Sequence, residues 1–167
     1  MAEASSTLAR EAGRPMLRHA VATLAYRGTK ALRGTPEAFG EFRIGAETRT
    51  PGQILAHIGD LLDWALNLST GKQEWHASPV LPWNQGVERF FAALKALDDL
   101  LASSRPLAVP ADNLFQGPIA DALTHVGQIT MLRRLAGSPV RAENYFKAAI
   151  AAGRVGADQQ APLREFD

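Results

Sequence analysis

Residues 50–71 read TPGQILAHIGDLLDWALNLSTG, and this stretch decides the fold. Thr50, followed three residues later by Gln53, has the spacing of a capping box. The Thr50 hydroxyl can accept the N–H of Gln53 while the Gln53 side chain reaches back to the Thr50 N–H. Pro51 stands at the first helical position, where its missing N–H costs nothing. Ile54, Ile58, Leu61, Ala65 and Leu68 then recur at helical spacing, and Gly71 supplies the C-terminal stop. A helix reaching to about Thr70 with one apolar stripe must bury that stripe against other helices. His57 lies beside Ile54, Ile58 and Leu61, so this helix carries an imidazole towards the interior.

The same punctuation recurs on either side. Pro15 opens a helix predicted to run to Arg33, burying Leu17, Val21, Leu24 and Ala31 and stopping at Gly34-Thr35-Pro36. Residues 1–14 are expected to add a turn or to fray. Between Lys72 and Trp83 the pattern breaks at Pro79 and Pro82, and this tryptophan-bearing loop is expected to cross one end of a bundle. Asn84 is the predicted cap of a third helix, with Val87, Phe90, Phe91, Leu94, Leu97 and Leu101 on its apolar face. It ends at Ser103-Ser104-Arg105-Pro106, and a second long connection covers residues 105–116. Pro118 then reads as the first residue of a fourth helix that ends near Ala136, before Gly137 and Pro139. A short fifth helix is predicted from Ala142 to Ala151, and the tail from Gly153 has no periodicity. Long connections rule out a simple series of hairpins. The expected architecture is an all-α four-helix bundle with crossover connections and a short C-terminal helix, residues 1–167 forming a single domain.

Composition agrees. The chain has 167 residues, 46% hydrophobic and 7% aromatic, enough to bury a core without covalent staples. Its 18 Lys and Arg against 17 Asp and Glu are scattered along the chain, leaving a net charge of +1. Neither a basic nucleic-acid footprint nor a polybasic membrane patch is present, so no nucleic acid and no membrane is expected as a partner. The absence of cysteine excludes disulfides, thiolate metal ligands and a cysteine nucleophile. The opening MAEASSTLAREAGRP lacks an apolar stretch of signal-peptide length, and nothing later approaches the roughly 18 apolar residues of a membrane span. The expected address is cytoplasmic.

One place offers chemistry. Asp121 precedes His125 by four residues on the fourth helix, so a carboxylate and an imidazole project from one face and can close on one ion, with a third ligand from a facing helix. The stripe continues through Gln128 and Leu132. A plain structural reading stands beside this one. Asp121 lies in a first turn, where the helix dipole favours a negative side chain, and the helix could instead bury Ala122, Val126, Ile129 and Met131. Asp60 is placed to orient His57, His19 is expected to be exposed, and His76 lies in the tryptophan-bearing loop. Trp64, Trp75 and Trp83 read as packing at a bundle end.

The order His57-Ile58-Gly59-Asp60 on a helix opened by Thr-Pro-Gly-Gln, an aromatic-bearing third helix, and then THVGQITMLRRLAGSP resembles the DinB-like superfamily of metal-binding four-helix bundles, over about residues 14–152. That resemblance implies three ligands converging from the second and fourth helices. His57 matches the first ligand, His125 the last, and Gly127-Gln128 the residues that commonly follow it. The chain departs from the pattern at Asp121, where histidine is common, and at Val126, where arginine is. The related mycothiol-dependent maleylpyruvate isomerases carry a carboxylate four residues before the last histidine, as this chain does at Asp121. The resemblance thus implies a divalent metal ion, zinc, nickel, manganese or iron, bound by His57, Asp121 and His125.

Two imidazoles and one carboxylate leave coordination positions free, so the expected site is open. The leading expectation is a divalent-metal-dependent enzyme, a thiol-dependent S-transferase or a hydrolase. Its partners would be a small-molecule substrate, a low-molecular-weight thiol and a second copy of the chain in a homodimer. The alternative is a non-catalytic, dimeric, stress-associated interaction protein with a relic metal site. A two-histidine, one-carboxylate iron oxygenase has the right ligand types but usually a β scaffold, and ranks last.

Overall fold

A computed structural model describes residues 11–166 of the chain. Four long helical segments account for most of it: α1 (Arg14–Leu32), α2 (Pro51–Ser69), α3 (Trp83–Ala102), and a last segment in which α4 (Ala111–Leu114) continues through a π turn (Phe115–Ile119) into α5 (Ala120–Leu135). The all-α bundle expected from the sequence is the fold observed. Residues 1–10, on which most of the expected extra turn or fraying falls, lie outside the described residues.

α1 and α2 each pack on both α3 and α5, which places α1 and α2 on one diagonal and α3 and α5 on the other. Arg18 pairs with Asp98 at 2.8 Å and the Gly28 backbone abuts Phe90, so α1 and α3 are antiparallel. Leu55 meets Gly86 and Asp60 meets Arg89, so α2 and α3 run parallel. The chain order around the bundle therefore requires two crossovers. One core fills the interior, with Phe90, Leu24, Ile58, Leu62, Leu94 and Ile129 fully buried. Each such side chain contributes roughly 1.5–3 kcal/mol relative to exposure.

The predicted stops and starts hold where they depend on neighbouring residues. Thr50 and Gln53 form both bonds of the capping box, at 3.2 and 2.9 Å, and Gly34 and Gly71 follow their helices at φ +71° and +87°. Four expectations are corrected. Asn84 does not cap α3. Trp83 opens that helix, and the Glu37 carboxylate, from a 3-10 turn at Glu37–Glu41, accepts the N–H groups of Trp83 at 2.7 Å and Asn84 at 3.1 Å. Pro118 is not a first residue. It sits inside the π turn, where the Ala120 N–H reaches back to the Phe115 carbonyl and the helix absorbs the missing donor without breaking.

The loop after α2 does not cross a bundle end. It returns along α2, with Glu74 held by Asn67, Trp75 against Trp64 and Ser78 on Asp60, and so lets two adjacent helices run parallel. The fifth helix over Ala142 to Ala151 does not form. Ala142–Glu143 instead pairs antiparallel with Glu165–Phe166, followed by a 3-10 turn at Tyr145–Lys147. Extended backbone there buries the Glu143 carboxylate, which accepts hydrogen bonds from Tyr26 and Lys30, both at 2.7 Å. Among the described residues, no helix is long and apolar enough to cross a membrane.

Candidate metal centre

His57 comes from α2, Asp121 and His125 from α5, and the antiparallel contact of these two helices brings the three together. The stripe of α5 resolves into two strips. Ala122, Val126, Ile129 and Leu132 form its core face, with Met131 exposed. His125 stands at the edge of that face, flanked by the solvent-reaching Asp121 and Gln128. The π turn ends at Ile119, and Asp121 follows in the first turn of α5.

The geometry is that of donors around a shared point. Asp121 Oδ1 lies 3.4 Å from His125 Nε2, and Asp121 Oδ2 lies 3.6 Å from His57 Nε2. One ligand atom from each of the three residues lies within 4.8 Å of the others. The imidazole rings meet edge to face, with centroids 4.8 Å apart. The Arg89–Asp60 pair, by contrast, closes to 2.7 Å. The wider spacing is too long for a good direct hydrogen bond. It leaves room between the side chains for an ion whose ligands stand about 2.0–2.2 Å from it. The three residues form a group that could hold a metal ion.

Protonation favours the same use. Gln128 Oε1 lies 2.8 Å from His125 Nδ1 and can only accept, which assigns the proton to Nδ1 and leaves the Nε2 lone pair towards Asp121. Burial pushes the pKa of His57 below the ordinary histidine value. His125 and, more weakly, Arg49 add to that shift, and Asp121 opposes it. A neutral imidazole at neutral pH is the state a metal ligand needs.

Trp75, from the returning loop, lies edge-on to His57 at 5.7 Å and packs against Trp64. Trp75, backed by Trp64, covers one side of the centre, whereas Trp83 is buried against Phe39. On another side His125 borders a cleft of about 420 Å³, lined also by Ile44, Arg49, Gln128, Met131 and Leu135.

Asp60 does not orient His57. Its carboxylate accepts from Arg89 at 2.7 Å and from the Ser78 N–H at 3.0 Å. His76 is exposed beside Asp63, at 3.9 Å, and His19 is exposed as expected. Sequence reasoning missed Arg49 and Arg89. Arg49 left a signal, since a cation directly before a helix N-cap opposes the helix dipole and calls for another reason to be there. No protein-family model, no curated protein and no solved structure matches the chain.

Proposed function

We propose that the chain is a DinB-like metal-binding bundle that works as a divalent-metal-dependent enzyme, an S-transferase or a hydrolase. The observation that carries this reading is the open spacing of His57, Asp121 and His125, at 3.4 and 3.6 Å, with the tautomer of His125 set by Gln128. An ion held there, zinc, nickel, manganese or iron, supplies a Lewis acid that makes water or a low-molecular-weight thiol nucleophilic near neutral pH. His57 and His125 would each present an imidazole nitrogen to the ion, and Asp121 a carboxylate oxygen. Its side chain is 47% exposed, so a substrate can approach from that side. Trp75, backed by Trp64, covers one flank of His57. The adjoining cleft gives an electrophile room beside His125.

The competing reading is a dimeric interaction protein in which the three residues are only a polar network. A network of that kind gains its stability from short direct hydrogen bonds, and the spacing here favours the metal reading. Ion-loaded and chelator-stripped protein should be assayed with a thiol plus an electrophile panel and with activated esters. The expected result is turnover that requires the ion and is lost in His125→Ala. Ion-loaded protein that is inert with both nucleophile classes rejects the enzyme reading.

A further inference from the structure

The cleft beside His125 has a chemical character of its own. Its walls come from two parts of the chain, the connection ending at Arg49 and the outer face of α5. Ile44, Met131 and Leu135 are each more than half exposed there, at 54%, 53% and 54%. Three large apolar side chains left in water side by side mark a surface that gains by being covered. His125, Gln128, Met131 and Leu135 follow one another over about 15 Å of α5, so the two apolar side chains stand at the end away from His125.

The polar end is equally one-sided. Arg49 lines the cleft, is exposed, and has no hydrogen bond or ion pair among the described residues, while its charge reaches His57. Among the described residues, no acidic side chain lines this cleft. A divalent ion held by His57, Asp121 and His125 would add positive charge at this head of the cleft, and the far end is apolar.

From this complementarity we propose that the cleft binds an amphipathic carboxylate, its anionic head between Arg49 and the metal centre and its hydrocarbon tail along Ile44, Met131 and Leu135. This deepens the proposed function by naming its substrate class, and it rests on that reading only for the head's second contact. Arg49 offers a forked, permanently charged donor of the kind that carboxylates pair with best. A neutral molecule of the same length would cover the tail surface and leave the cation unanswered.

The test is calorimetric titration with octanoate and, as neutral control, 1-octanol, on stripped and on zinc-loaded protein. Octanoate is expected to bind both forms, more tightly with zinc. Its affinity should exceed that of octanol at least tenfold and fall at least tenfold in Arg49→Gln. Met131→Glu, which sets a like charge on the exposed wall, should abolish octanoate binding and leave zinc content unchanged. Equal affinity for octanol, or for Arg49→Gln, overturns the proposal. So does a Met131→Glu variant that turns a dimer into a monomer while wild type ignores octanoate, because the cleft would then be covered by a second copy. Octanoate binding that depends on Arg49 in protein that takes up no zinc would retain the cleft and reject the metal reading.

Discussion

Helix α2 carries two groups of aspartate and histidine one turn apart, and they differ in what fills them. His57 joins Asp121 and His125, while Asp60 and Asp63 join His76, and in both groups the candidate ligand atoms lie within 4.8 Å of one another. Arg89 occupies the second group. Its Nη2 donates to Asp60 and Asp63, each at 2.7 Å, and its Nη1 to the Ala56 carbonyl at 3.2 Å. Burial alone would raise the pKa of Asp60, but hydrogen bonds from Ser78 and Arg89 outweigh it and hold the carboxyl below its usual value. Among the described residues, no such cation stands in the middle of the first group, whose Asp121 oxygens lie 3.4 Å from His125 and 3.6 Å from His57. Nearness of potential ligands is thus common to an ion-paired group and to a candidate metal centre. Whether the protein supplies its own counter-charge separates them.

Removing that counter-charge should produce the largest effect. Arg89→Ala leaves Asp60, 4% exposed, without its partner and is expected to cost about 3–5 kcal/mol in urea denaturation at neutral pH. Because the folded pKa of Asp60 lies below its unfolded value, the pair's contribution is present above the ordinary aspartate range and fades as pH falls through the folded value. The deficit of the variant should therefore shrink in acid. A deficit under about 1 kcal/mol would make the second group an ordinary surface pair.

The next effect falls on the first group. Gln128→Leu removes the acceptor on His125 Nδ1 and should weaken metal binding roughly 10- to 100-fold in competition with a chromogenic chelator, with little loss of stability. Unchanged affinity would show that the tautomer is set without Gln128. The smallest effect comes from Gly59, between the two groups, where an added Cβ would stand 2.7 Å from Arg89 Nη1. Gly59→Ala gains about 1 kcal/mol of helix propensity but disturbs charged hydrogen bonds worth roughly 1.5–3 kcal/mol. A net loss of about 1 kcal/mol in urea denaturation is expected, with metal content unaltered.

Legibility in the sequence followed the range of the forces involved. The Thr50–Gln53 box, the stops at Gly34 and Gly71, and the stripe of Ile54, Ile58, Leu61 and Ala65 are short-range statements, and the structure has all of them. The cap of α3 was not readable, because Glu37 supplies it from 46 residues away. Pro118 misled for a related reason. A proline marks a first turn only when no helix precedes it, and here Ala111 and Leu114, buried in the core, extend the helix upstream. The pairing of Glu143 with Tyr26 and Lys30 likewise overrides the helical look of residues 142–151. At the site, the spacing of Asp121 and His125 placed both on one face, and helix periodicity brought His57 inward. The return of Trp75 over His57 and the approach of Arg49 depend on loop paths that no local rule specifies.

Elemental analysis of protein purified without a histidine tag, for wild type and for His57→Ala, tests the central claim most directly. Near-stoichiometric divalent metal is expected in wild type and its loss in the variant, with the helical fold retained by circular dichroism. Wild-type protein that carries no metal and takes up none of zinc, nickel, manganese or iron would contradict it, and would leave His57, Asp121 and His125 as a polar network between two helices.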